Sequence, residues 1–250
     1  MKVSGNTVLI TGGATGIGLA LAEAFSKKGN EVIICGRRKN KLLEAQKRLP
    51  EIHVRVCDIS KHKNCKALFD WATANFKKLN ILVNNAGIQR EIDLTEGIAD
   101  LESGEDEIRV NLEAPVYLSA LFIPHLMKKQ KESAIINISS GLAFIPIASM
   151  PVYCATKAAI HSFNLSLRYQ LAGTRVKVYE VVPPIVDTEL DKGARGQREQ
   201  ANRGIKPEEV AAATMKGIEN DDFEIVIGMA QNLRMGSRTD PEKAFKQINR

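Results

Sequence analysis

The sequence has little of what metal, disulfide or membrane chemistry needs. Its four cysteines (Cys35, Cys57, Cys65 and Cys154) form no C-x-x-C pair and no metal-ligand spacing. Its four histidines fall in no H-E-x-x-H or similar array. No metal site is expected, and the unpaired thiols fit a reducing, cytoplasmic compartment. Cys35 and Cys57 fall in strands expected to be buried, where a thiol acts as a small hydrophobe. No run of about 18 apolar residues occurs, so no membrane-spanning helix is expected. The opening MKVSGNTVLITGG lacks the longer apolar segment and small-residue cleavage site of a signal peptide. Aromatic residues make up 5 % of the chain, and no dense basic stripe is interleaved with them. The net charge of +6 permits an anionic ligand, but nucleic-acid binding is not expected.

What is present is alternation. Of 250 residues, 44 % are hydrophobic, enough for a full core in one large α/β domain or two small ones. Short β-rich runs at Thr7 to Thr11, Glu31 to Cys35, about Ile52 to Cys57, and Ile81 to Asn84 alternate with helical spacing at Ile17 to Lys28, Asn40 to Leu49 and about Lys61 to Lys77. The pattern repeats as a long helix around 104–129, a strand at 134–138, a helix at 151–172 and a strand at 175–181. A helix from Pro207 to Glu219 and a last strand, Glu224 to Ile227, follow. Such alternation predicts a parallel sheet covered by helices on both faces. Connections are short and no linker interrupts them, so residues 1–250 are expected to form a single domain.

Three stretches carry chemistry. TGGATGIG, with Gly12, Gly16 and Gly18 around Ala14, Thr15 and Ile17, follows the first strand and opens the first helix. Glycines there allow a sharp turn and close approach to a pyrophosphate, and the helix N-terminus supplies unpaired N–H groups. The second strand ends Cys35-Gly36-Arg37-Arg38, where an NAD-binding unit places a carboxylate for the ribose hydroxyls. Two arginines suit the 2′-phosphate of NADP, so NADP(H) is expected over NAD(H). Finally, Ser139 ends an apolar strand, and Tyr153-x-x-x-Lys157 lies on the following helix, four residues apart and so on one face. A free tyrosine, with a pKa near ~10, is a poor acid or base at neutral pH. A neighbouring ammonium favours the phenolate and makes the residue a usable general acid or base. Ser139 would hydrogen-bond the oxygen that gains or loses the proton.

Taken in order, these features resemble the short-chain dehydrogenase/reductase family over most of the chain. The matching motifs are TGGATGIG at 11–18, Asp58 after the third strand, NNAG at 84–87, Asn111 in the long helix, Ser139, Tyr153-x-x-x-Lys157, and a proline turn followed by Thr188. The resemblance implies a Rossmann-type, doubly wound α/β fold with seven parallel strands in the order 3-2-1-4-5-6-7. It implies a catalytic tetrad of Asn111, Ser139, Tyr153 and Lys157, with Asn111 fixing a water and Lys157 holding the nicotinamide ribose. It places Asp58 and Ile59 near the adenine and Asn85, Ala86 and Gly87 along the cofactor pocket. Ile17 would cover the pyrophosphate, while Pro183, Ile185 and Thr188 would meet the nicotinamide carboxamide. One departure is Pro183-Pro184 where the family has proline-glycine, which removes an N–H and stiffens the turn. NAGIQR at 85–90 and VVPPIVDTEL at 181–190 are most similar to the bacterial DltE-type oxidoreductases, a group whose name links it to cell-envelope metabolism.

The implied partner is a small carbonyl/alcohol substrate. Residues 187–206, where the family keeps a substrate lid, mix Lys192, Arg195, Arg198, Arg203 and Lys206 with Asp187, Glu189, Asp191 and Glu199. They read as an anion-recognising lid or as a solvated loop. Arg90, after NNAG, is a candidate substrate contact. The family forms homodimers or homotetramers, and a homo-oligomer is expected. The tail from Met229 reads as an interface element or as disordered. Two alternatives stand beside the oxidoreductase reading. One is an NADP(H)-binding regulator or scaffold without turnover, against which the intact tetrad argues. The other is a sugar-nucleotide epimerase, which needs a larger C-terminal region.

Overall fold

The computed structural model of the protein describes residues 1–191 and 204–249. Each apolar run becomes a strand because its alternate side chains can be buried on two opposite layers at once. Along Ser133–Ile138, Ala134, Ile136 and Ile138 enter one core layer and Ile135 enters the other. The strands are β1 (Thr7–Thr11), β2 (Glu31–Gly36), β3 (His53–Val56), β4 (Leu79–Asn84), β5 (Ser133–Ile138), β6 (Val176–Val182) and β7 (Glu224–Val226). They form one parallel sheet in the order β3-β2-β1-β4-β5-β6-β7.

Helices α1 (Gly16–Lys27), α2 (Lys39–Arg48) and α7 (Pro207–Glu219) contribute Leu21, Leu42 and Ile218 to one layer. Helices α3 (His62–Asn75), α5 (Ala114–Met127) and α6 (Pro151–Gln170) contribute Leu68, Phe122 and Leu167 to the other. This is the doubly wound Rossmann-type arrangement expected from the sequence. Among the described residues, no helix is long and apolar enough to cross a membrane.

The expected elements recur within a residue or two except in the helix around 104–129. The helix predicted around 104–129 does not begin at 104. A short helix, α4 (Ile98–Glu102), comes first, and a π-turn over Arg109–Glu113 leads into α5. The cause is Arg90, whose guanidinium donates to the carbonyls of Asp100, Leu101 and Glu105 and holds the intervening chain as a loop. Gly104 makes room for it, since a Cβ there would sit 2.9 Å from the Arg90 Nε. Arg90, a candidate substrate contact, has its guanidinium engaged in stapling this loop. The thiol of Cys57 is buried, but the residue lies just past β3. The tail from Met229 is ordered as α8 (Ala230–Thr239) and α9 (Pro241–Ile248). It folds back so that Asn249 Oδ1 accepts from the Ala148 N–H and its Nδ2 donates to the Pro146 carbonyl. Most of the lid expected at 187–206 lies outside the described residues. Its base is fixed by the bridge of Val186 to Ile205.

A row of buried asparagines ties the C-terminal ends of the central strands to α6. Asn84 Nδ2 donates to Asn137 Oδ1 at 2.8 Å, and Asn137 Nδ2 donates to Asn164 Oδ1. Asn137→Ala leaves both neighbours without that partner, a loss of about 1–3 kcal/mol for an unsatisfied buried group. In a chain of this size that corresponds to a fall of roughly 2–12 °C in Tm by thermal unfolding, and a shift under about 1 °C would show the row to be dispensable.

Candidate active site

The site is built where the C-terminal ends of β1, β4, β5 and β6 meet. Between β1 and α1 the chain turns with Gly12 at a φ of 64°, in the left-handed region that glycine tolerates. The turn packs so closely that a Cβ on Gly12 would lie 2.8 Å from the Ala86 Cα, and one on Gly18 would lie 2.3 Å from the Gly12 carbonyl oxygen. Asn85 stitches the turn to β4: its Nδ2 donates to the carbonyls of Thr11 and Gly12. The Thr11 hydroxyl accepts the N–H groups of both Asn85 and Ala86. Helix α1 has no side-chain cap and no acid in its first turn, so its leading N–H groups are open to an anion. Ala14, Thr15, Gly16 and Ile17 line this mouth, all partly exposed. The Thr188 methyl packs over Gly16.

Arg37 and Arg38 stand at the end of β2 as the sequence placed them, but each has an acidic partner. Arg37 Nη1 is 2.7 Å from Glu105, and Arg38 Nη1 is 2.9 Å from Glu189. Arg38 Nη2 also reaches the Thr15 hydroxyl at 3.3 Å, which brings it to the glycine turn. Both ion pairs are half exposed, where such pairs are worth about 1 kcal/mol or less. Asp58 lies within the electrostatic reach of Arg37. Burial would raise its carboxyl, but hydrogen bonds from Ser60 and the charges of Lys61 and Arg37 outweigh burial and hold it below its usual value. The Ile59 side chain is directed into the core, so only its backbone is available to a ligand.

Two residues of the expected tetrad, Asn111 and Lys157, meet at Gly87, and Lys157 links them to Tyr153 and to the end of β5 beside Ser139. A Cβ at Gly87 would be 3.3 Å from Asn111 Oδ1 and 3.7 Å from Lys157 Nζ. Tyr153 and Lys157 lie on successive turns of α6, with Nζ 5.5 Å from the centroid of the Tyr153 ring. Lys157 donates to the Ile138 carbonyl at 2.9 Å, next to Ser139. Burial pushes the Lys157 ammonium down to about 8, with the carboxylate of Glu180 opposing the fall. Asn111 sits in the π-turn, a distortion found repeatedly at functional sites. Its side chain both donates to and accepts from the backbone of Ile88, and it donates to Thr156 Oγ1 at 3.3 Å. Pro183 is buried and its carbonyl accepts from the Gly141 N–H. Ile185 is exposed beside it. Pro184, in place of the usual glycine, packs on Gly228.

Two residues that the motifs did not reveal complete the cluster. Glu180 is fully buried on β6. It accepts the Ser139 hydroxyl at 2.6 Å through Oε1 and pairs with His161 Nδ1 at 2.9 Å through Oε2. The signal was a single acid inside the apolar run VKVYEVV. His161 sits one helical turn beyond Lys157, on the same face of α6.

A model of the short chain dehydrogenase family matches residues 6–199. The uncharacterized oxidoreductase DltE of Bacillus subtilis (strain 168) is 50 % identical over 249 residues, 100 % of this chain and 98 % of that protein. The chain belongs to the short-chain dehydrogenase family. Among solved members, a short chain dehydrogenase from Burkholderia cenocepacia J2315 in complex with NADP is 28 % identical, with a TM-score of 0.85 over 99 % of both chains. A short-chain dehydrogenase/reductase from Burkholderia phymatum in complex with NAD shares the fold at a TM-score of 0.87 and 23 % identity, over 100 % of this chain and 97 % of that one. The family makes this protein an oxidoreductase. Its structures hold either dinucleotide, so family membership leaves the choice between the two to residues such as Arg37 and Arg38.

The depressed Lys157 predicts a pH-dependent stability. Between about pH 8 and pH 10.4 the unfolded lysine holds a proton that the folded one has lost, so stability rises with pH across that window. Lys157→Met removes the effect. Parallel denaturant titrations are expected to show wild type gaining about 2–3 kcal/mol on the variant between these limits. A constant gap would mean that the buried amine is not desolvated.

Proposed function

We propose that the protein is an NADP(H)-dependent oxidoreductase acting on a CH–OH/C=O substrate, with Tyr153 as its general acid/base. The observation that carries this reading is the placement of the Lys157 ammonium against the Tyr153 ring, beside the buried Ser139, at the mouth of the sheet. The residues fit a dinucleotide: the cradle at Gly12 and Gly18 has room for backbone approach but not for a Cβ, and the uncapped start of α1 offers N–H groups. When bound, NADP(H) supplies or accepts the hydride.

This chain's own residues divide the remaining work. Gly12, Ala14, Thr15, Gly16, Ile17 and Gly18 bind the pyrophosphate, and Asp58 with the Ile59 backbone borders the adenine. Asn85, Ala86 and Gly87 line the pocket, while Pro183, Ile185 and Thr188 orient the carboxamide. Arg37 and Arg38 exchange their weak surface partners, Glu105 and Glu189, for the 2′-phosphate, a denser anion that a planar guanidinium binds in a forked geometry. Tyr153 passes a proton to or from the substrate oxygen and Ser139 holds that oxygen. Lys157 stabilises the phenolate, and Asn111 braces the Ile88 backbone at the end of the proton path. The whole chain acts as one domain. Leu165 and the 87 % exposed Tyr169 on α6 support association with a second copy.

The test is oxidation of NADPH, against NADH, over a panel of aldehydes, ketones, quinones and acyl-thioester ketones. Turnover is expected with NADPH, and Tyr153→Phe should reduce it by about 10²–10⁴-fold, the range for losing a positioned acid. Binding of NADPH without turnover on any carbonyl would favour a regulatory protein instead. In a separate binding titration, Arg38→Ala should weaken NADPH by about tenfold or more while leaving NADH nearly unchanged, because one charge-assisted contact is worth about 1.5–3 kcal/mol. Equal losses for both dinucleotides would defeat the 2′-phosphate assignment.

A further inference from the structure

Glu180 is an acid in the middle of an apolar strand, with no surface at all exposed to solvent. A carboxylate so placed is destabilising by several kcal/mol unless donors surround it. Its donors are the Ser139 hydroxyl on Oε1 and the His161 ring on Oε2. The His161 side chain is 23 % exposed, so the chain of contacts runs from the surface to Ser139. The hydrogen bond with Glu180 raises the imidazole above its ordinary value, against the opposing effect of burial. The other charges facing this pair are Lys157 and Arg168 on α6 and Glu224 on β7, the last held by Arg234 of α8 at 2.7 Å. The Phe144 and His161 rings meet in a T-shaped contact, 5.0 Å between centroids.

A serine hydroxyl has one proton. Here it goes to Glu180 at 2.6 Å, and the alternative acceptor, the Val181 carbonyl, is farther off at 3.4 Å. While Glu180 is charged, Ser139 therefore has only lone pairs to present to a substrate oxygen. It can accept from an alcohol but cannot donate to a carbonyl. When His161 is the imidazolium, moving its Nδ1 proton onto Glu180 Oε2 leaves a neutral imidazole and a neutral acid. The bond to the serine then loses its charge assistance, roughly half its strength, and the serine proton is free to turn toward a carbonyl oxygen.

We propose that Glu180 is a positioning residue that acts through Ser139. With His161 it forms a proton-loaded chain that sets whether the serine accepts from, or donates to, the substrate oxygen. This rests on the reading of Ser139 as the residue that meets that oxygen.

The experiment follows the His161 ring nitrogens by NMR across a pH titration of the full chain, in wild type, Ser139→Ala and Glu180→Gln. Glu180→Gln should lower the His161 pKa by about one unit or more, as expected for loss of an adjacent opposite charge. Ser139→Ala should raise it by roughly half a unit, because the carboxylate loses its other donor and weighs more heavily on the imidazole. An unchanged His161 titration in Ser139→Ala would overturn the proposal, leaving a structural ion pair with no link to the serine.

A second readout uses whichever carbonyl the protein reduces fastest. His161→Gln, at a part-exposed position and so the second variant if Glu180→Gln does not fold, should lower kcat by about tenfold, within the range for acid–base assistance. It should leave the KM for NADPH unchanged and abolish the kcat inflection that coincides with the NMR value. Retention of that inflection would also overturn the proposal. Absence of turnover on every carbonyl defeats the reductase reading alone, because the ring-nitrogen comparison needs no substrate.

Discussion

The interaction on which the rest of the site depends is the stitch between β1 and β4. Strand order reverses at this point, with β2 and β3 on one side of β1 and β4 to β7 on the other. Loops leaving β1 and β4 must therefore diverge and open a crevice between them. Thr11 and Asn85 hold that crevice to a fixed width: one hydroxyl takes two backbone N–H groups, and one carboxamide takes two carbonyls. Every later element is placed relative to this pair. The glycine turn abuts Ala86, Gly87 abuts Asn111 and Lys157, and Lys157 reaches across to Ile138, the last residue of β5 and the neighbour of Ser139.

The fold was legible because its signals are local. Strand runs such as TVLIT and SAIINI are short, apolar and bounded by turn residues, and Pro207 and Gly29 mark helix ends where they should. The candidate tetrad was legible for a different reason, since spacing on α6 alone brings Tyr153 and Lys157 together. What could not be read from local pattern was long-range. The helix expected from 104 is interrupted because Arg90, eleven residues before Leu101, fastens the backbone carbonyls of that loop. The fold-back of α8 and α9 depends on Asn249 finding the loop around Ala148, a contact across a hundred residues. Glu180 escaped notice because a lone acid in a strand has meaning only once its neighbours on β5 and α6 are known.

The centre of the molecule holds charges that a core optimised for stability would exclude. Lys157 and Glu180 are both buried, and the carboxylate offsets the desolvation of the ammonium only in part. Replacing such groups by apolar residues often stabilises a protein. Their presence where the strand ends converge is consistent with a site shaped for proton movement, and the outer layers supply the stability that this arrangement gives up.

The π-turn at Arg109–Glu113 has a consequence for length and phase. An α-helix turns about 100° per residue, so one residue in excess rotates everything upstream by that amount relative to α5. The loop stapled by Arg90, which carries Glu105 across to Arg37, enters α5 through that turn. The surplus residue thus sets both where Asn111 meets Ile88 and the direction in which the chain enters α5.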